Sequence, residues 1–259
     1  MRWPDRLAGM IGGLLLLAVL VPMGLMLWSL LEQGAGVLSM DFLLEDPRQA
    51  GRTGGIAALL VSTGWILAVC LLAAGTRRAQ WLGGVLDMLA AVPSIVYGLF
   101  GYQFFAISLG LGFSILSGGL ALALMVLPLM IRSAEQALRG VPMSYRQASE
   151  ALSISRWGWV RRILVPQAAP GIAVGIILSI GRALAETAVL LFTAGYVLRQ
   201  PDSLLDSGRA LSVHIYDLAM NVPGGMPRAA ATGLVLVAIL VILNLLVRRW
   251  LRPAQGAWQ

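Results

Sequence analysis

Six stretches of this chain run for about 18 residues or more almost without charge, and that pattern leaves few folds open. They cover residues 7–31, 53–75, 82–109, 112–131, 168–197 and 229–247. A run of that length crosses the hydrocarbon of a bilayer as a helix, because a helix satisfies every backbone donor and acceptor inside its own segment. The expected fold is therefore all-α and integral to the membrane, with six transmembrane helices. Charged residues make up 12% of the chain, where a soluble domain carries roughly a quarter. The first run is too long for a signal-peptide core and no small-x-small cleavage pattern follows it, so it is expected to stay as an anchor. The chain then divides into an anchor helix with an outer loop (1–52), a membrane core (53–247) and a basic tail (248–259).

Charge decides the orientation. The net charge is +7 and every basic residue is an arginine. With six spans both termini share one side. That side gathers Arg2, Arg6, Arg77, Arg78, Arg248, Arg249 and Arg252, together with Arg132, Arg139, Arg146, Arg156, Arg161 and Arg162. The other side holds Arg48, Arg52, Arg199, Arg209 and Arg228, outnumbered by acids. Arginine-rich short loops stay in the cytoplasm. Both termini and the connection 132–167 are expected there, with 32–52 and 198–228 outside. The basic excess is thus a topology signal, and no nucleic-acid partner is expected.

Several chemistries are excluded by residue type. One cysteine, Cys70, forbids an internal disulfide. One histidine, His214, makes a His/Cys metal cluster untenable, and His214 is expected to pack in the outer loop without chemistry. A phosphate-cradling GxxxxGK[ST] loop requires a lysine and the chain has none, so ATP of that kind would be hydrolysed elsewhere. No nucleophile with a neighbouring base stands out, and no catalytic residue is expected.

The connection 132–167 is long, polar and helix-permissive, with Tyr145, Trp157 and Trp159 along it and Pro166 near its end. Composition alone leaves two readings open: an amphipathic helix lying on the membrane, or a docking surface for a cytoplasmic protein. Within it, Gln147-Ala148-Ser149-Glu150-Ala151, running on through Ser153 to Arg156 and Trp157, resembles the EAA loop of ABC importer permeases. Ile163-Leu164-Val165-Pro166 is similar to the end of that loop. Two departures stand out: the family's glutamate is Gln147 and its central glycine is Ser153. The run Gly181-Arg182-Ala183-Leu184-Ala185-Glu186-Thr187-Ala188 continuing to Gly195 resembles the PstA-type permeases of phosphate-specific ABC importers. So does Ala91-Val92-Pro93-Ser94-Ile95-Val96-Tyr97-Gly98-Leu99-Phe100-Gly101. The resemblance extends from about Gly54 to Asn244.

The resemblance implies a type I importer core in a bacterial inner membrane, with one chain forming half of a translocation path for phosphate. It implies a second, PstC-like permease subunit, a cytoplasmic PstB-like ATPase dimer that binds ATP and Mg, and an external PstS-like phosphate-binding protein. It also implies that Gln147, Ala148, Ser149, Ser153, Arg156, Trp157 and Pro166 form the ATPase-coupling segment. No cofactor or metal is expected on this chain. Other oxyanions (molybdate, tungstate, sulfate, phosphonate) are the nearest alternative cargo. A secondary transporter is a more distant alternative, because no internal repeat is visible.

The residues expected to line the path are Arg182, Glu186, Ser179 and Thr193 on the fifth span, with Ser94 and Tyr97 on the third. A charge at bilayer centre costs about 2.5–3.5 kcal/mol, so Arg182 and Glu186 need a reason to be there. On one unbroken helix Gly175, Ser179, Arg182, Glu186 and Thr193 would fall within about 60° of each other. The plainer reading is a self-neutralising ion pair with helix packing around it. Arginine offers a tetrahedral oxyanion two parallel donors. A glutamate beside it either accepts the proton that phosphate still carries near neutral pH, or holds the arginine until substrate arrives. Tyr97 and Ser94 have an equally plain reading as packing residues.

Overall fold

The computed structural model describes residues 3–74 and 89–256. Helix α1 covers Trp3–Gly34 with Pro22 inside it. Its middle is apolar all round, and residues 16–29 are exposed wherever their side chains are described. A helix with no polar face suits lipid or a partner, not water. Its end meets the last helix, where the Gly34 backbone lies against Ala230 and Ala231. Ser39 then caps the short α2, Met40–Leu44, its hydroxyl accepting from the Phe42 N–H at 3.0 Å.

A small hairpin follows that the apolar pattern does not announce. Strand β1 (Pro47–Arg48) pairs antiparallel with β2 (Thr53–Gly54), Pro47 opposite Gly54 and Arg48 opposite Thr53. Gln49, Ala50 and Gly51 turn the chain in left-handed backbone conformations. The second span is helix α3, Ala57–Ala74, so residues 53–56 expected in the membrane belong to the hairpin and its exit. Cys70 lies on α3 and its side chain is outside the described residues, as are Arg77, Arg78 and the first part of the third span.

The third span is broken where one helix was expected. Helical turns at 89–91 end at Pro93, which cannot donate to a preceding turn and disfavours helix in the residue before it. Helix α4, Ser94–Gly101, starts there and widens into a π-helical turn, Tyr102–Ser108. The fourth span is α5, Ile115–Arg139, capped by Ser114. It outruns the expected end at residue 131 by two turns. The extension is polar and locked by Glu135, which pairs with Arg132 at 3.0 Å and Arg139 at 2.6 Å. Part of the supposed cytoplasmic connection is therefore a helix stem.

The rest of that connection is also helical. Helix α6 is Met143–Ala151 and α7 is Arg156–Trp159, the latter capped by Ser155. A π-helical turn, Val160–Leu164, joins α7 to α8, Val165–Ala185. Pro166 lacks the N–H that an α-helical ladder would need there, and the wider turn absorbs the defect. The fifth span then stops twelve residues short of its expected end at residue 197. Glu186 is extended (φ −77°, ψ 129°), and a short α9, Ala188–Thr193, continues in a new direction. Helix α10, Leu211–Met220, lies in the connection before the last span, and α11, Met226–Gly256, carries the sixth span and runs on through the basic tail.

Helix α5 is the centre of the molecule. Its Ile115, Leu122 and Val126 are fully buried among Ile66 of α3, Tyr97 of α4 and Val189 and Leu190 of α9. Against α8 it packs through small residues. A Cβ on Gly171 would sit 2.7 Å from the Ala137 Cβ, and one on Gly175 would overlap Ser133. Such close backbone approach replaces hydrophobic drive, which lipid does not supply, with dispersion contact. A second cluster joins Phe42, Ile56, Leu59, Leu211 and Ala231. Among the described residues four helices are long and apolar enough to cross a membrane: Leu16–Gly34, Ile115–Arg139, Arg156–Ala185 and Met226–Leu246. The shorter apolar helices Ala57–Ile66 and Ser94–Ser108 lie on the other two expected spans.

Candidate functional site

The end of α8 is where the expected polar stripe comes apart. Gly175 and Ser179 face α5, with Ser179 fully buried and its hydroxyl donating to the Gly175 carbonyl at 2.8 Å. Thr193 is fully buried on α9 and donates to the Val189 carbonyl at 2.7 Å. Neither offers a surface to a solute in this conformation. The single-helix stripe fails because the helix ends at Ala185. No proline or glycine causes that break. Tertiary contacts do, since α9 turns to lie on α4, where Gly98 meets the Ala188 carbonyl and Gly101 meets Thr193. The freed Glu186 carbonyl accepts the Ser212 hydroxyl of α10 at 2.6 Å.

Arg182 and Glu186 behave differently from the buried hydroxyls. Arg182 is exposed in the last turn of α8, where a cation complements the helix dipole. Glu186 is half-buried just past that helix. Among the described residues no ion pair joins them, and neither side chain has a hydrogen-bond partner. The self-neutralising pair read from their spacing is absent here. Tyr97 is buried and donates to the Leu89 carbonyl at 2.7 Å, bridging the break at Pro93. Ser94, the first residue of α4, is half-buried.

The second candidate surface is the α6–α7 segment. Gln147, Ala148, Arg156 and Pro166 are exposed, whereas Ser149 is buried and donates to the Arg146 carbonyl at 2.8 Å. Arg146 pairs with Glu150 one turn on, at 3.1 Å. Ser153 turns the chain with φ 52°, a left-handed conformation that costs a side-chain-bearing residue about 1–2 kcal/mol. Glycine adopts it freely, which gives a physical reason for the glycine of the resembled loop. Three large apolar side chains project from this polar segment: Leu152 (73% exposed), Trp157 (67%) and Met143 (61%). Leu152, Ser153, Trp157, Arg161 and Arg162 border an open concavity of about 710 Å³.

A third constellation lies in the connection 198–228 and was not anticipated. Arg209, 6% exposed, donates to Asp217 at 2.7 Å and to the Tyr196 carbonyl at 3.0 Å. Its guanidinium also lies 5.2 Å from the Tyr196 ring centroid and 3.5 Å from Nδ1 of His214. The hairpin turn closes over this group. A Cβ on Gly51 would stand 2.6 Å from the His214 ring, and the Arg228 guanidinium donates to the Gly54 carbonyl. The sequence hint was His214 and Asp217 three residues apart on one helix face, but a loop-borne arginine as their partner is a tertiary fact.

Burial, and after it the Arg209 charge, pushes His214 down from 6.5 to about 4. Above 6.5 histidine is neutral in both folded and unfolded chains. Between 6.5 and 4 only the unfolded chain takes up the proton, so stability falls with pH through that window. At about 1.4 kcal/mol per pH unit the loss approaches ~3 kcal/mol. Thermal melting of the wild-type protein is therefore expected to drop between pH 7 and 5, and the His214→Gln protein to show a flatter profile. Parallel profiles would remove His214 from this role.

Comparison with known proteins follows the same geometry. Residues 61–253 match the family described as binding-protein-dependent transport system inner membrane component. The chain is 31% identical to the Probable ABC transporter permease protein YqgI of Bacillus subtilis (strain 168), covering 95% of this chain and 94% of that protein. It is 37% identical to the phosphate transport system permease protein PstA 1 of Mycobacterium tuberculosis (strain CDC 1551 / Oshkosh). That match covers 74% of this chain and 64% of the relative, less than two thirds of its length. Among solved structures, a chain of the MetNI methionine ABC transporter in an inward-facing conformation superposes with a TM-score of 0.54 at 18% identity. The superposition covers 76% of this chain and 91% of that one, and at that identity it speaks for the fold alone. Matched over most of its length by one family model, and carrying that fold, this membrane chain belongs to the binding-protein-dependent transport system inner membrane components, the permease subunits of ABC transporters.

Proposed function

We propose that this chain forms half of the phosphate path of an ATP-driven importer. The observation that carries the reading is the pair of charges at the α8–α9 break, unpartnered among the described residues. An exposed arginine without a partner does not face lipid, where it costs about 2.5–3.5 kcal/mol. It faces water or another subunit. Transporters place solute sites at helix breaks of this kind, where backbone and side-chain polar groups are left free. The phosphate permease among the relatives supports phosphate as the cargo. Within this reading Arg182 and Glu186 line the path, Ser94 and Tyr97 flank it, and Ser179 and Thr193 hold the helices that form it.

The partners follow from the same reading. A second permease subunit supplies the other wall, an ATPase dimer with ATP and Mg engages α6 and α7, and an external phosphate-binding protein delivers cargo to the outer side. Three exposed apolar side chains on a polar segment support α6–α7 as the ATPase surface. Both termini lie in the cytoplasm. In a Cys70→Ala background, cysteines at Gln49 and Ser203 are expected to react with an impermeant thiol reagent in intact cells. Reaction only after lysis would invert the topology. Cells dependent on this importer should take up radiolabelled phosphate, with uptake unaffected by excess sulfate or molybdate. Competition by either anion would reassign the cargo.

A further inference from the structure

We infer that Glu186 is the residue by which this chain tells a protonated oxyanion from a fully ionised one. The inference rests on the pathway reading above and assigns the selectivity of that site. On an unbroken helix Arg182 and Glu186, four residues apart, would pair, and the arginine would be occupied. The break removes that option. Glu186 has left the helix, its N–H donates to the Ala183 carbonyl at 3.3 Å, and its own carbonyl accepts from Ser212. Its backbone is thus held at both ends while, among the described residues, its carboxylate has no hydrogen-bond or ion-pair partner. Arg182, held by the last turn of α8, likewise has no hydrogen-bond or ion-pair partner among the described residues. The two groups are separate tools: a fork of donors and a bare acceptor.

Those tools suit one class of ligand. A tetrahedral oxyanion that keeps a proton near neutral pH presents acceptor oxygens to the guanidinium and an O–H to the carboxylate. Inorganic phosphate and arsenate are of this class. Sulfate and molybdate at the same pH have only acceptor oxygens, so Glu186 meets them lone pair to lone pair, charge to like charge. A site that expects an O–H rejects the analogue lacking it more strongly than shape alone can, because its own polar group is left unsatisfied. This places selection in the membrane subunit itself, behind any selection by the delivering protein.

The test therefore omits the delivering protein. Radiolabelled phosphate is bound to the purified permease–ATPase complex and displaced by arsenate or by sulfate. In the wild type, arsenate should displace with an inhibition constant within a few-fold of phosphate, and sulfate should be at least tenfold weaker. Glu186→Gln, which keeps the size and gains donors, should narrow the sulfate gap about tenfold or more while phosphate still binds. Arg182→Leu should lose all three anions. If Arg182→Leu loses binding but Glu186→Gln keeps the wild-type preference, the selectivity role is overturned and the pathway reading stands. If Arg182→Leu binds phosphate normally, or the wild-type complex shows no saturable binding, the pathway reading falls and this inference falls with it.

Discussion

Arg182→Lys is expected to lower phosphate uptake about tenfold or more while the protein is made and inserted at its ordinary level. Lysine keeps the charge but loses the planar fork, so one of two parallel bonds to the oxyanion goes, and about 1.4 kcal/mol is a factor of ten. The side chain is exposed and makes no hydrogen bond or ion pair among the described residues, so the fold has little reason to notice the change. The double change of Arg182 and Glu186 to leucine sharpens the contrast. A purely structural pair tolerates joint replacement by apolar residues. A pathway pair does not: the double variant should assemble with its partners and import nothing. Wild-type uptake by either variant would remove these residues from the path. Radiolabelled phosphate uptake, normalised to membrane-inserted protein, is the measurement.

Ala148→Arg should abolish uptake or release the ATPase. Ala148 is exposed in the middle of α6, between the exposed Gln147 and the buried Ser149, so the new side chain adds bulk and charge to the outer face of that helix. Surface changes of this kind leave stability within about ±0.5 kcal/mol. Melting of the isolated permease should therefore not move. Lost uptake with unchanged melting would place the defect at an interface. Co-purification of the ATPase with normal transport would show that α6 is not the coupling surface.

How legible was this molecule before its structure? The membrane class was legible because bilayer hydrocarbon imposes a length and a polarity that few other pressures produce. The family was legible in two short runs, around Ser94–Gly101 and Arg182–Gly195, and in the loop ending at Pro166. Helix ends were less so. Apolar runs stop at Ile131, but α5 runs to Arg139 because Glu135 ties Arg132 and Arg139 along its flank. The candidate path was half legible. Arg182 and Glu186 announced themselves by cost, whereas Ser179 and Thr193 looked polar and proved to be buried donors to their own helices.

The sequence by itself determined which segments enter the membrane and which residues are costly there. Both follow from one-body terms, the transfer free energies of single residues and runs, which add along a chain. Tertiary structure alone decided that α8 ends at Ala185, that Arg182 and Glu186 do not pair with each other, and that Arg209, His214 and Asp217 meet beneath a hairpin. These depend on contacts between segments far apart in the chain: α9 on the glycines of α4, Ser212 on the Glu186 carbonyl, and Gly51 on His214. Periodicity records what one helix would do alone. It holds no term for a neighbour that can outweigh the next turn of that helix.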